Sequence, residues 1–155
     1  MKKMEPTRKS DAAPPRRLVL YVEDNEDNWS VAELRLASVY RMIRAATDRE
    51  ACALLTKHAD ELYFVLMDVE LQGSQLDGIA LTKLLRGRLP SDQIPEFARS
   101  VQPSLIPVVF VTAYHATFGA TMHAAGGNLV VPKPVEFRQL IRALTSMHLN
   151  GISSS

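Results

Sequence analysis

The sequence predicts an α/β domain in which helices cover both faces of a parallel β-sheet. Short apolar runs alternate with segments whose apolar residues recur at helical spacing, and this pair occurs five times along the chain. The third run, "LYFVLMD", is apolar at nearly every position, so both of its faces should be covered, as in a central strand. A length of 155 residues fits one domain with a substantial core.

Two strand–helix units precede that central run. "RLVLYVED" is predicted to be a strand, and Asn25 is expected to cap a helix that continues to about Tyr40. "YRMIRAA" is a short edge strand, after which Thr47 or Asp48 caps the second helix. The inward positions are expected to be Trp29, Ala32, Leu36 and Val39 in the first helix and Ala51, Leu54 and Leu55 in the second.

Three units include or follow the central run. A helix is expected from Asp77 to about Arg88, and the segment 87–107 contains four prolines, which predicts an extended connection. A short helical turn is expected within it, near Ile94 to Val101. "VVFVTA" and "NLVV" are the last two strands, and "ATFGATMHAA" and "VEFRQLIRALTSMH" are the last two helices. The inward positions are expected to be Ile79, Leu81, Leu84 and Leu85 in the third helix and Phe137, Leu140, Ile141 and Leu144 in the fifth.

Charge and composition divide the chain into a tail and a body. Residues 1–17 carry six Lys and Arg against two acids, a net charge of +4, so the total of +1 leaves −3 on the rest. We therefore predict a disordered basic tail at 1–16, a domain at 17–149 and a flexible C-terminus at 150–155. The mildly acidic body argues against nucleic-acid binding.

The same composition limits location and redox chemistry. No apolar run approaches the roughly 20 residues that span a bilayer, and no signal peptide is recognisable, so a cytoplasmic protein without membrane contact is predicted. The single cysteine, Cys52, excludes an internal disulfide and predicts a buried, inert thiol. We expect a monomer or a weak homodimer.

Polar side chains follow four of the predicted strands at the point where each strand ends. Glu23 and Asp24 end the first strand, Asp68 the third, Thr112 the fourth and Lys133 the fifth. Ligands of open parallel sheets bind outside the carboxyl ends of the strands. Clustered carboxylates repel one another, and a bound divalent cation would compensate their charge. Because all the ligand atoms are oxygens, the pattern indicates Mg²⁺.

The hydroxyl of Thr112 and the ammonium of Lys133 suit an anion opposite that metal. Phosphoryl transfer usually requires a metal ion and a lysine that neutralise the negative charge on the oxygens of the transferred phosphoryl group. Asp68 can be the nucleophile, because carboxylates form acyl phosphates in covalent phosphotransfer.

Four motifs carry a resemblance to a known family. "LVLYVEDN", "FVLMDVELQGSQLDG", "IPVVFVTA" and "VPKP", in this order, resemble the receiver domain of two-component response regulators over roughly residues 17–148. The resemblance implies a flavodoxin-like (βα)5 doubly wound sheet with strand order 2-1-3-4-5, the order for which receivers are a standard example. It also implies that Asp68 accepts a phosphoryl group from a phosphohistidine on a sensor histidine kinase or a histidine phosphotransfer protein.

The resemblance assigns roles to the residues at the strand ends. Asp24 matches the direct ligand of Mg²⁺ and Glu23 a ligand that acts through water, with Asp68 and the main-chain carbonyl of Glu70 completing the set. Thr112 and Lys133 match the hydroxyl and the lysine that contact the phosphoryl group. The bond between Lys133 and Pro134 matches a peptide that receivers hold cis.

The chain departs from the family pattern in three places. Ten positions separate Asp68 from Gly78, about two more than usual, so a longer loop should bulge beside the site. The connection 87–107 is about a dozen residues longer than usual. Val130 stands where receivers carry a switch Tyr or Phe, and Tyr114 is the nearest aromatic residue available to replace it.

The predicted function is that of a stand-alone receiver that signals to a separate partner. The face formed by the fourth helix, fifth strand and fifth helix is expected to change with phosphorylation. Such a protein is not a turnover enzyme, since it catalyses only its own phosphorylation and slow hydrolysis. Glu70 and Tyr114 are expected to slow that hydrolysis by restricting the attacking water.

Three alternatives remain open from the sequence. A pseudo-receiver would bind partners without phosphorylation, and Val130 is the residue that keeps this alternative open. A Mg²⁺-dependent phosphohydrolase would also use Asp68, but its pattern has a second Asp where this chain has Glu70. The third is a receiver cut from a longer chain.

Overall fold

A five-stranded parallel sheet forms the centre of the molecule. The computed structural model describes residues 16–113 and 115–149, with the backbone alone for 115–118, 148 and 149. Within these residues the strand order is β2-β1-β3-β4-β5, and every neighbouring pair is parallel. The strands are β1 (Arg17–Val22), β2 (Tyr40–Ala45), β3 (Leu62–Asp68), β4 (Val108–Thr112) and β5 (Leu129–Pro132). The predicted fold class and strand order are confirmed.

One helix follows each strand, and the helices cover both faces of the sheet. They are α1 (Glu26–Leu36), α2 (Asp48–Lys57), α3 (Gly78–Leu85), α4 (His115–Ala124) and α5 (Phe137–Leu149). The first three are capped by Asn25, Thr47 and Asp77, whose side chains each accept a hydrogen bond from a backbone N–H three residues later. The predicted caps Asn25 and Thr47 are thus confirmed. No helix among the described residues is long and apolar enough to cross a membrane.

Two hydrophobic clusters hold the layers together, one on each face of the sheet. Residues of α2, α3 and α4 pack on one face, and residues of α1 and α5 pack on the other. Cys52 is fully buried in the first cluster, as predicted. The deepest large side chains include Phe64, Phe110, Leu20, Leu36, Leu66, Leu81, Leu85, Met122, Leu140 and Leu144.

The first and third helices are shorter than the sequence predicts. α1 ends at Leu36, and Tyr40 is instead the first residue of β2, where it pairs with Arg17 and meets the edge of the Phe64 ring. Val39, predicted to face inward, is 39% exposed. α3 ends at Leu85 because Gly87 adopts φ 72°, the left-handed conformation that commonly ends helices.

The connection 87–107 is packed against the domain. It contains two 3-10 turns, Ser91–Gln93 and Glu96–Ala98, so the helical turn expected near Ile94 to Val101 is present but shorter. The guanidinium of Arg49 lies 4.4 Å from the centre of the Phe97 ring. Ala98 and Val101 are buried, and the connection therefore extends the core beside α2 and α3.

Two predicted segments lie largely or wholly outside the described residues. The basic tail at 1–16 is described only at Arg16, and the C-terminal segment 150–155 is not described.

Candidate active site

The carboxyl ends of β1, β3, β4 and β5 meet around a single cleft. It has a volume of about 330 Å³ and is open to solvent. Its lining contains every residue that the sequence placed at a strand end, together with Glu70. These residues are Glu23, Asp24, Asp68, Glu70, Thr112 and Lys133, and the other lining residues are Asn25, Asn28, Gln72 and Ala113. The structure therefore brings together, in one cleft, the side chains that the sequence placed at the strand ends.

Three carboxylates converge within the cleft. One oxygen each from Glu23, Asp24 and Asp68 lies within 4.8 Å of the others. Glu23 is completely buried and Asp68 is 8% exposed, so their negative charges are poorly hydrated. Such a cluster is costly unless cations or hydrogen-bond donors compensate it.

Lys133 supplies part of that compensation. Its Nζ donates to Glu23 Oε1 at 3.1 Å and to Asp68 Oδ2 at 3.2 Å. Burial raises the pKa of Asp68 to about 7, and Glu23 adds to this increase, while Lys133 partly offsets it. Burial lowers the pKa of Lys133, but Asp68 and Glu23 outweigh burial and hold that pKa above its ordinary value. Lys133 is therefore a charged donor at neutral pH.

The buried carboxylate of Glu23 has two further donors. The hydroxyl of Tyr21 donates to Oε1 at 3.0 Å, and the backbone N–H of Asn25 donates to Oε2 at 3.1 Å. Burial, followed by the charge of Glu23, raises the pKa of Tyr21, which therefore remains a neutral phenol. Because protein donors occupy both oxygens of Glu23, Asp24 and Asp68 are the better candidates for direct metal ligands.

Asp24 and the loop that carries it are held by two groups outside the predicted set. The N–H of Gln72 donates to Asp24 Oδ2 at 2.8 Å. The guanidinium of Arg44 donates to the carbonyl oxygens of Glu23 and Asp24 at 3.0 and 3.1 Å and pairs with Glu26 at 2.8 Å. Arg44 therefore fixes the turn between β1 and α1.

Sequence reasoning missed Tyr21, Arg44 and Gln72 for different reasons. Arg44 lies near the carboxyl end of β2, so the strand-end rule could have found it. Tyr21 is a strand residue of ordinary type, two positions before Glu23, and no local signal marks its hydroxyl. Gln72 acts through its backbone, which no side-chain motif reveals.

Comparisons with known proteins identify the fold. No family model matches this chain, and no curated protein sequence is significantly similar to it. A receiver domain of the sensor histidine kinase PA1611 from Pseudomonas aeruginosa PAO1 is 28% identical, with a TM-score of 0.65 over 84% of this chain and 96% of that one. The receiver domain of NtrX from Brucella abortus is 21% identical, with a TM-score of 0.65 over 88% and 99%. A candidate response regulator from Chloroflexus aurantiacus J-10-fl is 24% identical, with a TM-score of 0.67 over 85% and 97%.

The chain has the fold of a response-regulator receiver domain. Because the alignments span nearly the whole of each solved chain, this protein contains a complete receiver fold. The receiver of PA1611 belongs to a sensor histidine kinase, and its structure holds a magnesium ion in the active-site cleft. Receivers are thus found both as part of kinases and in response regulators.

The acidic cluster of this chain fits Mg²⁺ by its chemistry and by the spacing of its carboxylates. All three groups offer carboxylate oxygens, the donors that Mg²⁺ prefers. One oxygen from each of the three groups lies within 4.8 Å of the others, so together they could hold one ion. Asp24 and Asp68 would hold the ion directly, and Glu23 would act through water.

β4 and β5 form the side of the cleft that carries Thr112 and Lys133. Thr112 is buried at the end of β4, and its carbonyl oxygen accepts from the backbone N–H of Lys133 at 3.0 Å. The Lys133–Pro134 peptide bond is cis, in agreement with the expectation from the sequence. Val130 is half-buried on β5, paired with Phe110. Tyr114 lies outside the described residues.

The longer loop after β3 borders the cleft as the sequence predicts. Glu70 and Gln72 both line it, and Glu70 is exposed.

Proposed function

We propose that this receiver accepts a phosphoryl group on Asp68 from a phosphohistidine of a sensor histidine kinase or a histidine phosphotransfer protein. The observation that supports it most directly is the contact of Lys133 with Asp68, beside Asp24 and Glu23, in a cleft open to solvent. A carboxylate, a cation and a metal-binding pair within one cleft are the groups that phosphoryl transfer to an aspartate requires.

The transfer exchanges one bond to phosphorus for another. A carboxylate oxygen of Asp68 attacks the phosphorus, the bond between phosphorus and the imidazole nitrogen breaks, and the departing nitrogen takes up a proton. Bound Mg²⁺ would neutralise charge on the carboxylates and on the transferred oxygens. Lys133, already at hydrogen-bond distance from Asp68, supplies a second positive charge to those oxygens, and Thr112 supplies a hydroxyl from the neighbouring strand β4.

The output of the proposed switch is a change in the face formed by α4, β5 and α5. β5 is an edge strand, and a groove of about 230 Å³ lies between it and α5. A phosphoryl group that draws Thr112 inward would alter the end of β4 and, through the ladder to β5, this face. A downstream protein is the proposed partner, in the cytoplasm, with no nucleic acid or membrane bound.

The test is phosphorylation by acetyl phosphate or phosphoramidate, read as intact mass. We expect one phosphoryl adduct that requires Mg²⁺ and is absent from Asp68→Asn. A lack of adduct in the wild type, with Mg²⁺ binding shown separately, would contradict the proposal. It would favour the second candidate, an interaction module that works without phosphorylation, for which Val130 in place of an aromatic switch residue is the supporting observation.

The same assay tests a role for Glu70 in the lifetime of the phosphoryl group. We propose that the carboxylate of Glu70, a residue that lines the cleft, hinders the water that hydrolyses the acyl phosphate. Glu70→Ala should therefore lose the adduct roughly two- to fivefold faster than the wild type. This change in rate is much smaller than the effect of a general acid or base that takes part in the reaction itself. An unchanged decay rate would remove Glu70 from this role.

A further inference from the structure

The loop between β3 and α3 is anchored at both ends. Leu71 and Leu76 are buried in the core cluster on the α2 and α3 face. The four residues between them turn over the edge of the sheet, with Gly73 at φ 77° and the N–H of Ser74 bonded to the carbonyl of Leu71 at 3.2 Å. The extra length of this loop is therefore folded into a defined turn.

One side of the loop contacts the metal site. The N–H of Gln72 donates to Asp24 Oδ2 at 2.8 Å. This bond orients the carboxylate of Asp24, and groups that orient a metal ligand contribute strongly to metal affinity.

The other side of the loop contacts Asp48, the first residue of α2. Asp48 Oδ2 accepts from the N–H groups of Gln75 at 2.8 Å and Leu76 at 2.9 Å, and its own N–H donates to the hydroxyl of Ser74 at 2.9 Å. The residue is only 3% exposed. Three hydrogen bonds thus join Asp48 to the loop that holds Asp24.

Capping of α2 does not account for this carboxylate. Thr47 caps the helix by accepting from the N–H of Glu50, and Glu50 Oε1 accepts from the N–H of Ala46 at 2.7 Å. These two bonds cap the start of α2 without the carboxylate of Asp48. The contacts made by Asp48 Oδ2 are with the loop.

We propose that Asp48 is a positioning residue for the metal site, acting through the loop 71–76 and the N–H of Gln72 on Asp24. Loss of its carboxylate leaves the N–H groups of Gln75 and Leu76 without their acceptor, so the loop moves and Asp24 loses its fixed orientation. The proposal rests on the metal-binding part of the proposed function and does not depend on phosphorylation.

Titration of the full chain with Mg²⁺ tests the proposed role of Asp48. Binding would be detected by calorimetry or by the fluorescence of Trp29, the single tryptophan. The Trp29 ring lies 6.5 Å from that of Tyr21, whose hydroxyl contacts Glu23. Asp48→Ala should weaken Mg²⁺ binding roughly tenfold, the lower end of the effect of losing an outer partner of a metal ligand. Asp48→Asn, which keeps a side-chain oxygen as acceptor, should restore affinity to within about threefold of the wild type.

Glu50→Ala is the matched control. It also removes an acid from the first turn of α2 and weakens the start of the helix, but it leaves the loop contacts in place. It should therefore lower stability without changing Mg²⁺ affinity. Hydrogen exchange gives an independent readout, since the amide of Gln72 should exchange about tenfold faster in Asp48→Ala and at the wild-type rate in Glu50→Ala.

Each outcome decides the proposal. Equal Mg²⁺ affinity in Asp48→Ala and the wild type would overturn it and leave Asp48 a purely structural residue. Failure of the wild type to bind Mg²⁺ would overturn the metal site of the proposed function and this inference with it. Mg²⁺ binding without phosphorylation would overturn only the proposed phosphoryl transfer to Asp68. If Asp48→Ala does not fold, Ser74→Ala, which removes one of the three bonds, carries the test with an expected two- to threefold loss of affinity.

Discussion

Lys133 lies between two buried carboxylates, and its contribution differs from that of a surface lysine. Glu23 and Asp68 both accept from its Nζ, while the lysine side chain is only 22% exposed. Removing one member of a buried ionic group leaves the others without compensation, and this costs far more than loss of a surface pair. The residue that serves the phosphoryl group in the proposed reaction therefore also stabilises the metal-free fold.

Lys133→Met should lower the free energy of unfolding by about 3 kcal/mol in buffer without Mg²⁺. Urea denaturation measures the change. Lys57→Met, at an exposed position on α2, should change it by less than about 0.5 kcal/mol. If Lys133→Met unfolds at the same urea concentration as the wild type, other groups compensate the carboxylates.

Gly78, at the start of α3, approaches the backbone of the proposed phosphoacceptor. A Cβ at this position would collide with the carbonyl oxygen of Asp68, and the N–H of Gly78 donates to the carbonyl of Val69 at 2.8 Å. Any side chain at position 78 must therefore displace either the helix or Asp68. Glycine is required here by close packing of two backbone segments.

Gly78→Ala should lower the free energy of unfolding by about 2 kcal/mol, within the usual cost of an added methyl group in a packed site. Gly119→Ala is the opposite case, because a Cβ there meets no atom within 4 Å. On helix α4 it should stabilise the protein by about 0.5 kcal/mol. The two variants would be compared by urea denaturation, and the same sign for both would contradict the steric argument.

Strand-end residues were predictable because their positions follow from topology. Once Asp68 and Thr112 are placed at the ends of parallel strands, they must share one edge of the sheet. The hydrogen bonds that orient the carboxylates were not predictable, since they come from a tyrosine hydroxyl and a backbone N–H whose directions depend on the folded loops. Sequence thus predicts which groups meet, but only the structure gives their orientation.

At the level of elements, the long connection before β4 is joined to the rest of the fold by Arg86. Its guanidinium donates to the carbonyl oxygens of Gly126 and Ser104 at 3.1 and 2.8 Å, and to Asn128 Oδ1 at 2.9 Å. Asn128 Oδ1 also accepts from the N–H of Val108. One side chain therefore ties the end of α3, the connection and the loop before β5 together.

Arg86→Met should lower the free energy of unfolding by about 3 kcal/mol, because three partly buried oxygens lose their donor. Arg88→Met provides the comparison, since Arg88 makes one exposed bond, to the carbonyl of Ala124 at 3.1 Å, and should change stability by less than about 0.5 kcal/mol. Urea denaturation again gives the values. Equal effects of the two substitutions would mean that water replaces the guanidinium of Arg86.

Element types were predictable and one helix end was not. The apolar spacing of α1 continues through Leu36 to Val39, and no Gly or Pro interrupts it. The helix ends because Tyr40 pairs with Arg17 in the sheet and packs on Phe64, and such tertiary contacts override a local pattern. The end of α3 could have been predicted, since Gly87 marks it.

At the scale of the whole molecule, fold class followed from periodicity, and strand order did not. Five strand–helix pairs with a fully apolar third strand predict a parallel sheet, but several orders satisfy that pattern. The order 2-1-3-4-5 came from the motif resemblance. The same order brings β1, β3, β4 and β5 side by side, which is why four separate segments of the chain form one cleft.

A metal site of this kind couples Mg²⁺ to the stability of the whole domain. Glu23, Asp24 and Asp68 converge only in the folded chain, so Mg²⁺ should bind the folded state and not the unfolded one. At a free concentration of 100 times the dissociation constant, such a ligand adds about 2.7 kcal/mol. For a domain of this size the melting temperature should rise by about 8 °C.

Thermal unfolding at increasing Mg²⁺, with ionic strength held constant by NaCl, measures this coupling apart from general screening. Asp24→Ala should abolish the rise, whereas Asp27→Ala, an exposed acid in the first turn of α1, should retain it. Asp68→Asn should be more stable than the wild type without Mg²⁺, because it removes a buried charge that Glu23 repels, and should gain less from the metal. If the melting temperature of Asp24→Ala rises with Mg²⁺ as much as that of the wild type, the ion binds elsewhere on the molecule. Lys133 would then be the cation that compensates the acidic cluster at all times.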